Sequence, residues 1–168
     1  IVSKASQPIS ELNVFEHSTK DLKTVPIICY ETVYGEFVSS YTKKGGDFIT
    51  IISNDAWWGN TAGHKQLLSY ARLRAIENRR YIVRSANSGI SSIIDHKGKI
   101  LSTLEYGKYG ILTGTAEKVS GKTFYNNYGD FIARVSIFIS ISMILIFFVT
   151  SNKNFNYTTP LDSPMRYD

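Results

Sequence analysis

One thiol stands in the 168 residues: Cys29, at the end of the apolar run Val25-Pro26-Ile27-Ile28 and directly before Tyr30-Glu31. With no second cysteine it forms no intramolecular disulfide, so its value lies in packing, reactivity or chance. The residues that follow favour reactivity. Tyr34, Phe37, Val38 and Tyr41 recur at i, i+3, i+4 and i+7, one apolar helical face, and Lys43-Lys44-Gly45-Gly46 supplies a basic last turn and a glycine stop. Cys29 is therefore expected between a strand end and a helix start, where unpaired N–H groups and the positive end of the helix dipole stabilise a thiolate, the attacking species. A buried cysteine acting as a small hydrophobe fits the same pattern, and this segment alone leaves both readings open.

The elements that position Cys29 alternate. Phe48 to Ile52 is a short β-branched run, Asn54-Asp55 and the glycines at 59 and 63 make a loop, and Lys65 to Arg80 is helical with Leu67, Leu68, Ala71, Ala75 and Ile76 on one side. Tyr81 to Ser85 reads as a strand, followed by an Asn87-Ser88-Gly89 turn, a strand at Ser91 to Ile94, an Asp95-His96-Lys97-Gly98 turn and strands at Lys99 to Leu104 and Tyr109 to Thr115. That order predicts an α/β sandwich, a mixed sheet covered by helices.

A hydrophobic content of 43% with 13% aromatic residues supports a packed core. The net charge of +5 and the run Arg72, Arg74, Arg79, Arg80, Arg84 invite a nucleic-acid partner. Glu77 lies within that run, and a solvated or salt-bridged face is the commoner explanation, so no nucleic acid is expected. His17, His64 and His96 are scattered, and zinc-finger and phosphate-loop spacings are absent; neither metal nor other cofactor is expected.

From Phe131 to Thr150 every residue except Arg134 is apolar or small and polar. Twenty helical residues at about 1.5 Å each reach roughly 30 Å, the thickness of a bilayer core, so this segment is expected to span a membrane, with Arg134 snorkelling from its first turn. The flanking basic residues are too balanced to set its orientation. Residues 1–130 are then the globular part, 131–150 the span and 151–168 a polar tail. Ile1-Val2-Ser3-Lys4 has neither an initiator methionine nor a signal segment, and the chain is expected to be part of a longer protein.

Taken together, Ile28-Cys29-Tyr30-Glu31, Ser53-Asn54-Asp55-Ala56-Trp57-Trp58-Gly59, Ala71-Arg72-Leu73-Arg74-Ala75-Ile76-Glu77 and Arg84-Ser85-Ala86-Asn87-Ser88-Gly89-Ile90-Ser91, with Ile94-Asp95 and Gly98, carry a resemblance. In order and spacing they resemble the carboxy-terminal part of the bacterial apolipoprotein N-acyltransferases, a membrane-embedded branch of the nitrilase (carbon-nitrogen hydrolase) superfamily. The resemblance runs from about residue 20 to residue 150. It implies the carboxy-terminal half of a nitrilase-like α-β-β-α sandwich followed by one transmembrane helix, at the bacterial inner membrane with the catalytic part periplasmic.

It also implies an acyltransferase: a cysteine takes an acyl chain from a phospholipid donor as a thioester and passes it to the N-terminal amine of a diacylglyceryl apolipoprotein acceptor. Cys29 is then the nucleophile, with Tyr30 and Glu31 supporting it. Trp57, Trp58 and Asn54 become candidates for lining the substrate entrance or holding the loops, while core packing or a membrane-interface anchor serves the tryptophans equally well. Arg74, Glu77 and Asn87 are expected to tie helix to sheet. The family's catalytic glutamate and lysine lie upstream of its cysteine; Lys4, Lys20 and Lys23 lack the surrounding motif, Glu11 and Glu16 sit in a polar loop-like stretch, and the chain alone is expected to be inactive. His64-Lys65-Gln66 also departs from the family's pattern. Two alternatives remain, a soluble-type amidase or nitrilase and a non-catalytic membrane-tethered module.

Overall fold

The computed structural model describes residues 13–18 and 21–155; Lys4, Glu11, Lys20 and most of the tail lie outside them. Two units divide between Gly129 and Asp130.

The first unit is built on a six-stranded sheet in the order β1 to β6: Phe15–Glu16, Lys23–Ile28, Phe48–Asn54, Tyr81–Asn87, Ser91–Ile94 and Ile100–Leu104. The middle strands β2, β3 and β4 run parallel, and β1, β5 and β6 are antiparallel to their neighbours. Parallel neighbours need crossovers, supplied here by α1 (Gly35–Lys43) and α2 (Ala62–Asn78). The mixed α/β sheet expected from the alternating pattern is present.

Period-two alternation decides which residues meet these helices. Val25 and Ile27 on β2, Ile49 and Ile51 on β3 and Ile82 on β4 are buried, and they pack with Val38 and Tyr41 of α1 and Leu68, Ala71 and Ala75 of α2. Truncating any one of these isoleucines to alanine removes about 2–5 kcal/mol. Along the other face of β2 and β3, Ile28 and Ile52 are 63% and 62% exposed, so one side of the sheet carries the core and the other leaves β-branched residues open at the ends of these strands.

Besides the short strand β1, which falls where a polar loop was expected, four elements differ from expectation. A 3₁₀ turn, Cys29–Val33, separates β2 from α1, so Cys29 does not adjoin an α-helix. Helix α2 starts earlier, because Thr61 caps it by accepting from Gly63 N at 3.3 Å, and Ile76 is 52% exposed rather than inward. Tyr109 to Thr115 is not a strand. It makes no ladder beside β6, and Tyr109 and Ile111 are fully open to solvent; glycines 110 and 114 instead bring this stretch against Leu104 and Ile93. The fourth is a short helix missed in the sequence, α3 (Phe124–Tyr128). Thr123 caps it, and Asn126, buried within the unit, donates to Ser39 Oγ, Thr42 Oγ1 and Asn78 Oδ1 at 2.8–3.0 Å. A fully partnered polar knot of this kind fixes a segment that buries little apolar surface.

The second unit contains α4, Phe131–Phe155. Its stretch Phe131–Ser151 is long and apolar enough to cross a membrane, and its large side chains are exposed from Phe131 to Val149. Ser140, Ser142 and Thr150 return their hydroxyls to carbonyls one turn back at 2.8 Å, which hides those polar groups within the helix.

Candidate active site

Strand β2 presents Cys29 at the carboxyl end of the parallel strands, and the chain turns sharply there. Ile28 is extended, whereas Cys29 adopts φ 50°, the left-handed region that costs a non-glycine residue about 1–2 kcal/mol. Three local bonds hold the turn. Glu31 Oε2 accepts from Ile28 N at 2.8 Å, Thr32 Oγ1 donates to Cys29 O at 2.8 Å, and Tyr34 N donates to Glu31 O at 3.1 Å. Glu31 thus folds back over the turn that contains the thiol, its carboxylate taking the Ile28 N–H instead of facing an α-helix dipole. Burial, and then the charge of Glu31, push the Tyr41 hydroxyl above its ordinary value.

The half-buried thiol lies 4.0 Å from Asn54 O, to which it donates. Asn54 ends β3, and its side-chain oxygen accepts from Ala56 N and from Asn87 Nδ2, both at 3.3 Å. Asn87 therefore links the ends of two strands rather than helix to sheet. One residue on, Asp55 is fully buried and pairs with the buried Arg84 at 2.6 Å. Ser53 Oγ donates to its other oxygen at 2.5 Å, and Arg84 Nη1 also donates to Ile90 O. Gly89 leaves room for this pair, since a Cβ there would fall on the Asp55 carboxylate. Arg84 is the partner that sequence reasoning missed by grouping it with a solvated run: Arg74, Arg80 and Arg84 are all buried, and burial lowers Arg80 from its ordinary value. A charged residue inside the apolar strand Tyr81-Ile82-Val83-Arg84 was the available signal.

Of the other candidates, Tyr30 is 52% exposed and meets Tyr34 edge-on at 6.0 Å. Trp57 and Trp58 lie in a 3₁₀ turn, Ala56–Trp58, right after Asn54; Trp57 is 86% exposed, and Trp58 closes over Gly63. The tryptophans are therefore not core residues. The thiol of Cys29 meets the Asn54 carbonyl and Glu31 closes the turn through Ile28 N, with exposed aromatic rings on the flanking turns. His64 is buried at the start of α2, with Nδ1 3.2 Å from Gly59 O and its ring against Tyr106. Lys23 and Glu16 pair with each other at 2.6 Å on the exposed β1–β2 edge; Glu16 first of all holds the Lys23 ammonium above its usual range. Among the described residues no group of His, Cys, Asp and Glu could hold a metal ion.

A strained thiol at a strand end, cradled by a neighbouring strand's carbonyl, is a geometry suited to covalent acyl chemistry. Comparison with known proteins places the chain in a family. The chain is 40% identical over 125 residues to apolipoprotein N-acyltransferase 2 of Leptospira interrogans serogroup Icterohaemorrhagiae serovar copenhageni, covering 70% of this chain and 20% of that protein. It is 31% identical over 139 residues to the apolipoprotein N-acyltransferase of Chlorobaculum tepidum, covering 81% of this chain and 26% of that protein. The chain thus spans about a fifth to a quarter of the length of the curated relatives it matches. In fold it is similar to Nit3 of Saccharomyces cerevisiae, a member of branch 10 of the nitrilase superfamily, with a TM-score of 0.50 at 22% identity over 64% of this chain and 41% of that one. The carbon-nitrogen hydrolase family model matches residues 5–121, and the chain belongs to that family.

Proposed function

We propose that the chain carries the nucleophile of an apolipoprotein N-acyltransferase and that Cys29 forms its acyl-thioester. The observation that carries this reading is the backbone of Cys29, held at φ 50° by bonds from Glu31 and Thr32 where glycine would be the unstrained choice. In the first half-reaction the sulfur attacks the ester carbonyl of a phospholipid as a base removes the thiol proton. A thioester forms, and the lysophospholipid leaves as an alcohol bearing a proton. In the second, the amine of a diacylglyceryl-modified N-terminal cysteine attacks the thioester, an amide forms, and Cys29 regains its proton. Two easier displacements replace one hard one. By the resemblance, the base is a glutamate and the oxyanion donor a lysine, both upstream of the cysteine. Tyr30 and Glu31 shape the turn, and the exposed rings of Trp57 and Trp58, with Asn54 beside them, face the lipid-side entrance.

The setting is the bacterial inner membrane, with residues 131–150 crossing it, residues 1–130 in the periplasm and the tail in the cytoplasm. The amphipathic donor and acceptor both reside in a bilayer, which gives the apolar helix a purpose. The test is mass spectrometry of the full-length enzyme after incubation with phospholipid alone. An acyl adduct on Cys29, absent in Cys29→Ala together with all transfer to a diacylated lipopeptide, is the expected result. An adduct on another residue, or transfer by the alanine variant, overturns the assignment. Hydrolysis of small amides without any lipid adduct would make the protein an amidase.

A further inference from the structure

We infer that Arg74 is a positioning residue for Cys29, acting on the far end of the nucleophile's turn. Arg74 is 4% exposed on the inner side of α2. Its Nη1 donates to Val33 O at 3.3 Å, and Val33 is the last residue of the 3₁₀ turn that Cys29 begins. Its Nη2 holds Glu77 Oε1 at 2.9 Å in a nearly buried ion pair, which fixes the plane of the guanidinium. The bonds from Glu31 and Thr32 that close this turn come from within it, three residues apart or fewer. Arg74 reaches it from 41 residues away and anchors it to a long helix.

Two neighbours are fitted to this arm. Gly35 opens α1 directly over it: a Cβ there would collide with Arg74 Nη1 and with Tyr125 Oη, although Gly35 does not need glycine for a positive φ. On the other side, Thr123 Oγ1 donates to Glu77 O, so the cap of α3 closes on the same turn of α2. A residue held in the left-handed region persists only where its surroundings over-determine it, and the Arg74 arm supplies the long-range part of that constraint. Releasing Val33 O lets residues 29–33 leave the 3₁₀ turn, relaxes Cys29 and exposes its thiol, while the reacting sulfur loses its fixed direction. This role rests on Cys29 being the nucleophile, but its first readout does not.

Because Cys29 is the only cysteine, alkylation by iodoacetamide in the detergent-solubilised chain reports on it alone. The chain would be compared as the parent, as Arg74→Lys, which cannot span both partners, and as Gly35→Ala, which displaces the guanidinium without altering its charge. Asn126→Ala serves as a control that loosens the buried knot without touching Val33 O. Alkylation is expected to quicken about fivefold or more in the first two variants, the factor that follows from losing a restraint of about 1 kcal/mol. In the control it should stay at the parental rate even when its melting temperature falls as far. A ¹³Cα resonance from cysteine-labelled protein should move from its positive-φ position in the same two variants. In the full-length enzyme kcat is expected to fall with KM little changed, since the lesion acts on direction rather than on binding. Equal labelling rates in all four proteins, or equal acceleration by Asn126→Ala, overturn the positioning role. If Arg74→Lys does not fold, Gly35→Ala decides alone. Altered labelling without any acyl adduct on Cys29 of the full-length enzyme would keep the role of Arg74 and sink the proposed reaction.

Discussion

The turns after β5 and after β2 each place a residue at positive φ, and they solve the problem differently. At Asp95-His96-Lys97-Gly98, between β5 and β6, the left-handed position falls to Gly98 at φ 78°, and Asp95 Oδ1 accepts from Lys97 N and Lys99 N at 2.8 Å each. At the end of β2 the comparable position falls to Cys29 at φ 50°, braced by Glu31, Thr32 and Arg74 and floored by Asn54. The first turn only has to reverse the chain, and it uses the residue that does so without strain. The second keeps a strained side chain and surrounds it with bracing. The bracing separates this corner from a connector, since positive φ by itself does not: Ser88 adopts φ 61° in the turn between β4 and β5.

The largest expected effect tests the floor of the strained turn. Asp55 and Arg84 are 0% and 1% exposed in their side chains, and removing one partner leaves the other charged and buried. Asp55→Ala is expected to cost about 3–5 kcal/mol, and Arg84→Met less than that, because the thioether fills part of the space of the arginine stem while Asp55 keeps its hydrogen bond from Ser53. Chemical denaturation of the chain in detergent checks the order. Equal, small losses would mean that the pair is incidental to the corner.

A reciprocal exchange sharpens the comparison at intermediate size. Gly98→Ala puts a Cβ into the left-handed region and 2.8 Å from Ile76 Cδ1, so a loss of about 1–2 kcal/mol is expected. Cys29→Gly releases strain of about 1–3 kcal/mol and gives back about 0.5–1 through the freer unfolded chain, so its stability should hold or rise while the acyl adduct disappears. A destabilised Cys29→Gly would show the thiol to be a packing residue.

How much of this was legible in the sequence depends on the range of the interaction. Strands β2 to β5 and helices α1 and α2 announce themselves through local periodicity, and the lone Cys29 before Tyr30-Glu31 marks the corner. The 3₁₀ turn does not, because Tyr34, Phe37, Val38 and Tyr41 show where α1 faces but not where it starts. Tyr109 to Thr115 has strand composition, yet a strand needs a partner, and glycines 110 and 114 fold that stretch onto Leu104 and Ile93 instead. The arginines were hardest. Arg74 and Arg84 find Val33 O and Asp55 from 41 and 29 residues away, and a charge run looks solvated until such partners are placed.

The smallest effect concerns the unstrained turn and pH. Burial alone would raise the Asp95 carboxyl, but the hydrogen bonds from Lys99 N and Lys97 N outweigh it, and the carboxyl sits below its ordinary value. An unfolded aspartate titrates near about 3.9. A carboxyl depressed on folding therefore adds stability that is fully present above that value and is lost as pH falls through the lower, folded one. Asp95→Asn keeps an acceptor oxygen but no charge, so the parent's advantage over this variant should be small and constant from pH 7 to pH 5 and should shrink below about pH 4. Other carboxylates titrate in both proteins and cancel in the difference. Melting temperatures of the two chains measured across that range decide it: an advantage that grows on acidification would mean that Asp95 is held neutral in the folded chain and that its turn, like that of Cys29, stores strain.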